Sequence, residues 1–71
     1  MSVKIPVLAN KDANRRARAL DLAISETTDS DYRDAAELLV QEMINENSFE
    51  EAMSEPMAVK EFFLRLNDRL E

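Results

Sequence analysis

The stretch "NKDANRRARALDLAI", Asn10 to Ile24, decides how the rest of the chain is read. Ala13, Ala17, Leu20 and Ile24 recur at i, i+4, i+7 and i+11, the spacing of one face of an α-helix. Asn10 or Asp12 stands in front of them as a cap, so the pattern predicts a first helix over about Lys11 to Ser25. Alanine at two of the four inward positions invites a close neighbour. At about 100° per residue, Lys11, Arg15, Arg18 and Leu22 fall on one line of the same helix, opposite the apolar face. That outward row is basic, on a chain whose net charge is −6.

Charge is segregated along the sequence. Residues 1–18 sum to +4 and residues 19–71 to −10. Three readings of the basic row follow. It is a solvated face with intrahelical pairs such as Asp12–Arg16, a phosphate-binding strip, or a contact for an acidic protein surface.

Working outward from this helix, "SETTDSD" breaks the periodicity. Thr28 with Asp31 matches the Ser/Thr-x-x-acid start signal, which opens a second helix over about Asp29 to Glu46. Tyr32, Ala35, Ala36, Leu39, Val40 and Met43 form its inward face, and Asn45 or Asn47 ends it. Asp29, Asp31 and Asp34 in its first turns suit the helix dipole. "SFEE" at Ser48–Glu51 repeats the capping signal ahead of a short turn, Phe49 to Met53. Ser54 is then expected to cap the last helix, with Pro56 in its first turn. Val59, Phe62, Phe63, Leu66 and Leu70 make its apolar stripe, and Glu61–Arg65 an i, i+4 pair.

At the other end, "VKIPVL" (Val3–Leu8) has the composition of a strand. Pro6 removes a ladder donor, and no second strand stands ready to pair with it. It is expected as an extended arm, residues 1–9, lying across the helices or pairing with another chain. The fold class predicted is therefore all-α: residues 10–71 form one small helical domain of three main helices and one short one.

Composition narrows the function. Seventy-one residues bury only about 60% of the surface they expose when unfolded, and a core of that size supplies about 3–5 kcal/mol. Nine of the apolar residues are alanine, which thins that core further. With no cysteine, disulfides and thiolate zinc sites are closed. The absence of histidine removes the commonest metal ligand and catalytic base. Gly-rich phosphate loops are impossible in a chain without glycine. "DSDYRD" has some of the acids of a calcium loop but lacks its turn glycine and carries Arg33 at a ligand position; helix-start capping explains those acids better. No cofactor, no metal and no enzymatic activity are expected. No apolar run approaches the roughly 20 residues of a membrane span, and without a long apolar leader the expectation is a cytoplasmic protein.

What remains is surface. On the polar face of the second helix, Asp31, Asp34, Gln41, Glu42 and Asn45 surround Leu38, an apolar residue off the inward stripe. Isolated exposed leucines are ordinary. Ringed by acids, this one also suits a partner that offers an apolar residue among cations, and Leu22 beside Arg15 and Arg18 has that composition. On the last helix, Met57 and Leu64 lie away from the stripe, covering Phe49 or the arm, or forming a second contact. The expected function is a protein-binding module (adaptor, inhibitor or accessory subunit) that meets a basic partner surface through Asp31, Asp34, Glu37, Leu38, Glu42, Glu46, Met57 and Leu64. Lys11, Arg15, Arg18 and Leu22 are expected to serve self-association into a homodimer or larger homo-oligomer. The alternative is a small dimeric nucleic-acid-binding regulator that uses the arm and the same basic row.

Overall fold

The computed structural model describes residues 5–71. Asn10 turns the chain into α1, Lys11–Ser25, with extended backbone at the cap and its side-chain oxygen accepting from the amides of Asp12 and Ala13 at 2.9 and 3.1 Å. α2 spans Ser30–Asn45, α3 is the single turn and a half of Phe49–Met53, and α4 is Ala58–Leu70. Among the described residues there is no strand, and no helix is long and apolar enough to cross a membrane.

The start of α2 is set one residue later than the Thr28 signal implies. Asp29 is the cap, its carboxylate accepting from the amides of Asp31 and Tyr32 at 3.0 and 3.2 Å. A carboxylate at this position satisfies two orphan amides and adds charge where the helix dipole favours it, so Thr28 is left outside.

The end of α2 shows how a chain without glycine stops a helix. Asn47 takes φ 58°, the left-handed region where asparagine is the best tolerated substitute. Its amide donates to the Ile44 carbonyl at 3.0 Å, and the Ser48 amide to the Met43 carbonyl at 2.9 Å. This pair of bonds is the Schellman closure.

The remaining start signals are spent differently from the expectation. Ser48 does not cap α3; its hydroxyl donates back to the Met43 carbonyl. Nor does Ser54 open α4, because its hydroxyl donates to the Glu50 carbonyl at 2.8 Å and closes α3. Pro56 sits at the second position of a turn in which the Ala58 amide donates to the Glu55 carbonyl at 3.1 Å, a place that suits its fixed φ. That turn delays α4 to Ala58, and its cap Met57 has no side-chain capping bond.

Among the described residues every buried side chain is apolar. Ala13, Ala17, Leu20 and Ile24 of α1 meet Ala36, Leu39, Val40 and Met43 of α2, Phe49 and Met53 of α3, and Ala58, Phe62 and Leu66 of α4. α1 packs most extensively on α3, the approach its alanines permit. Tyr32, Ala35, Val59 and Phe63 are half-buried at the margin. There the Tyr32 ring lies parallel to Phe63 at 6.4 Å, and the Tyr32 hydroxyl donates to Asn67 at 2.9 Å. Leu70, expected in the α4 stripe, is instead exposed at the last residue of the helix, beyond the turn that Leu66 buries.

Of the arm, Val3 and Lys4 lie outside the described residues. Ile5 and Leu8 pack against the chain's own core while Pro6 and Val7 face outward. Two bonds hold this path: the Leu8 amide donates to the Asn14 side chain at 3.0 Å and the Asn10 amide to Glu50 at 3.1 Å.

Candidate functional site

The helix wheel of α1 is realised in three dimensions. Lys11, Arg15, Arg18 and Leu22 are all exposed on the face opposite Ala13, Ala17, Leu20 and Ile24. Leu22 is 60% exposed. Asp12 pairs with Arg15 at 3.3 Å, not with Arg16. Both partners of that pair are largely in water, where such contacts contribute little, so Arg15 remains available to another anion.

Arg16 belongs to the fold. Half-buried, it reaches across to α3 and donates to the carbonyls of Met53 and Ser54 at 3.1 and 3.2 Å. These are unpaired carbonyls at a helix end, and a cation there is favoured by the dipole as well as by hydrogen bonding. Its position 120° round the helix from Leu22 was the available signal: it is off the basic row and beside the inward face.

On α2, Leu38 is 57% exposed while its neighbours Leu39 and Val40 are buried. Asp31 and Asp34 are exposed beside it. Gln41, one turn further on, donates to Asn45 at 3.0 Å and so keeps that edge of the face polar and ordered. The other three acids are placed less simply. Glu37 is half-buried and about 100° round the helix from Leu38. Glu46 is the C-cap residue, at the end of the face and not around Leu38.

Glu42 lies near Leu38 but already has a partner. The Arg69 guanidinium grips its carboxylate with two nitrogens, Nη1 to Oε1 at 3.0 Å and Nη2 to Oε2. Hydrogen bonding from Arg69 holds the Glu42 carboxyl below the usual glutamate range, with the charges of Arg69 and Arg65 acting in the same direction. The same contact raises Arg69. Arg69 is the basic residue in the last turn of α4, where cations are favoured, so a partner for an α2 acid was legible there in kind though not in position. Asp12–Arg15 and Glu42–Arg69 are the ion pairs among the described residues, and Glu61–Arg65 does not close.

Met57 and Leu64 are each 53% exposed. They sit on the α4 side of the molecule with Lys60, Glu61 and Asp68, apart from the Leu38 face. The eight residues expected for protein binding lie on two helices, the α2 group around Leu38 and the α4 pair Met57 and Leu64.

Enclosed chemistry is sparse. A hollow of about 310 Å³ opens between the arm and the α2–α3 corner, lined by Pro6, Leu8, Ile44, Asn47, Phe49 and Glu50. Its volume reaches the lower range of ligand pockets. Its one carboxylate, Glu50, accepts from the Asn10 amide, and no base–nucleophile pair accompanies it. No group of three acidic side chains among the described residues could hold a metal ion. No protein-family model matches the chain, and no curated protein or solved structure matches it either.

Proposed function

We propose that this protein works by docking: α2 presents Leu38, flanked by Asp31 and Asp34, to a basic partner surface. The observation that carries this reading is the placement of Leu38. The core closes without it, through Leu39 and Val40, and among the described residues no cation lies within pairing distance of its flanking acids. Acids around an apolar anchor steer a basic partner into register and speed its approach, while burial of the anchor contributes the affinity. An adaptor, an inhibitor that fills a basic groove, or an accessory subunit would each use such a face.

A nucleic-acid contact through Lys11, Arg15 and Arg18 is the weaker reading. Three cations neutralise few phosphates, one of them already has Asp12 beside it, and Ile5 and Leu8 of the arm are committed to the chain's own core.

A photoreactive amino acid placed at position 38 of the full chain, in cells, tests the docking face. The expected result is a discrete protein adduct that disappears when Asp31→Lys and Asp34→Lys are added, with the helical circular dichroism retained. Adducts of equal yield with and without the charge reversal would overturn the reading.

A further inference from the structure

Two of the exposed leucines, Leu22 and Leu38, stand in matching contexts of opposite sign. On α1 the outward residues are Arg15, Arg18 and Leu22; on α2 they are Asp31, Asp34 and Leu38. Both triplets have the spacing 3 then 4, which is the seam spacing of paired helices. A shift of sixteen residues superposes one on the other, cation on anion and leucine on leucine.

We propose that the partner of the α2 face is the α1 face of a second copy of this chain, the two helices running parallel and in register. This rests on the docking reading above and names its occupant. Leu22 of one copy then covers Leu38 of the other, Arg15 lies opposite Asp31, and Arg18 lies opposite Asp34. In the same alignment the exposed Ala19 faces the half-buried Ala35, two small residues that allow the helix axes to come close.

The same shift brings like charges together in two layers, Asp21 against Glu37 at the margin of the contact and Glu26 against Glu42 within it. There the molecule already holds Arg69 on Glu42, so the second carboxylate approaches a neutralised pair. The antiparallel alignment with Leu22 on Leu38 has no such relief. It sets Glu26 against Asp34, which has no cation within pairing distance among the described residues, leaves Arg15 opposite the neutral Asn45, and gives Arg18 only Glu42, which Arg69 already holds. Charge therefore selects the parallel direction.

Each copy carries both faces, so the contact either closes as a reciprocal pair or continues from copy to copy. A contact confined to helix faces belongs with interfaces below about 1,200 Å², which are weak and exchange quickly. Two copies each at −6 repel at a distance. At physiological ionic strength that repulsion is screened beyond about 8 Å, while charges in near-contact are screened least.

Complementary charge reversal tests the pairing by light scattering over a range of protein concentrations. The wild-type mass is expected to rise at least twofold above 8.1 kDa at high concentration. Arg15→Glu with Arg18→Glu, or Asp31→Lys with Asp34→Lys, should each hold the protein at the monomer mass. An equimolar mixture of the two variants should associate again, because each supplies the face the other lost. A wild type that stays monomeric throughout, variants that associate as the wild type does, or a mixture that stays monomeric would each overturn the proposal.

Lysines in the first turns of α2 oppose the helix dipole and destabilise that variant, so a second measurement uses the wild-type faces. The chain has no cysteine, and Glu26→Cys offers a unique thiol for a spin label. Mixed with isotopically labelled wild-type protein, it should broaden the amide signals near Glu42 more than those near Asp31. The reverse order, or broadening confined to other surfaces, defeats the parallel register. If copies ignore one another while a position-38 adduct with another protein persists, the docking reading stands and its occupant is not this chain. If position 38 captures nothing as well, both fall.

Discussion

Leu20 and Leu22 are two residues apart on α1, and Leu39 and Leu38 are adjacent on α2. Within each pair one leucine is fully buried and the other is more than half exposed. The residue type, the helix and the local propensity are the same, so the difference is environment alone. The inner leucines hold four helices together. The outer ones contribute little to that, and chemistry alongside them gives them meaning: cations beside Leu22, carboxylates beside Leu38. A small domain with an alanine-rich core has few large side chains, and placing leucines such as Leu22 and Leu38 in water is informative for that reason.

The sharpest way to break the comparison is to make the same truncation at both kinds of site. Leu20→Ala removes a side chain with no exposed surface, against alanines that cannot relax into the gap. Buried leucine truncations cost about 2–5 kcal/mol, comparable with the whole margin of about 3–5 kcal/mol expected for a domain of this size. Thermal unfolding followed by circular dichroism should show the midpoint fall by more than about 10 °C, or no cooperative transition. A shift of only a few degrees would mean that the inner seam is not what holds the helices.

An intermediate effect is expected at the helix starts, where the outward and inward patterns are brought into phase. Asp29→Ala removes the carboxylate that satisfies two α2 amides and should cost about 1 kcal/mol, whereas Thr28→Ala should change stability by less than about 0.5 kcal/mol. Urea titrations of the two variants decide it. Equal losses, or a larger loss at Thr28, would assign the cap to the threonine and shift the phase of the α2 faces by one residue.

The same contrast explains how much of the molecule was legible in advance. The bounds of α1 and its whole inward face follow from periodicity, because a long amphipathic run has a single reading even with Asn10 and Asp12 both open as its cap, whereas the bounds of α3 came out as expected from a Ser48 signal that makes no side-chain cap. The outward positions of Leu22, Leu38 and Leu64 are legible for the same reason. Where two capping signals overlap, as at Thr28 and Asp29 or at Ser48 and Ser54, local sequence does not choose between them. The choice is made by which oxygen reaches the amides and by the turn that Pro56 imposes before α4. Long-range pairings were out of reach altogether. Arg16 on the end of α3 and Arg69 on Glu42 join residues 37 and 27 positions apart, and no spacing rule along one helix contains them. They also decide which charges stay exposed for contact: Arg16 is held on α3 and Glu42 is taken out of the acidic ring, leaving Lys11, Arg15, Arg18, Asp31 and Asp34.

The smallest expected effect is the most discriminating. Leu22→Ala and Leu38→Ala, measured at protein concentrations low enough to keep copies apart, should change unfolding free energy by less than about 0.5 kcal/mol. At these sites the modest loss of partly covered surface is offset by the better helix propensity of alanine. Repeating the melts at high concentration should separate the variants from the wild type, since an assembly stabilises its folded members by mass action and these variants lack the apolar part of the contact. A loss at low concentration as large as that of Leu20→Ala would show that the outer leucines serve the fold itself. A null result at both concentrations would leave their exposure without consequence and remove the apolar half of the docking face.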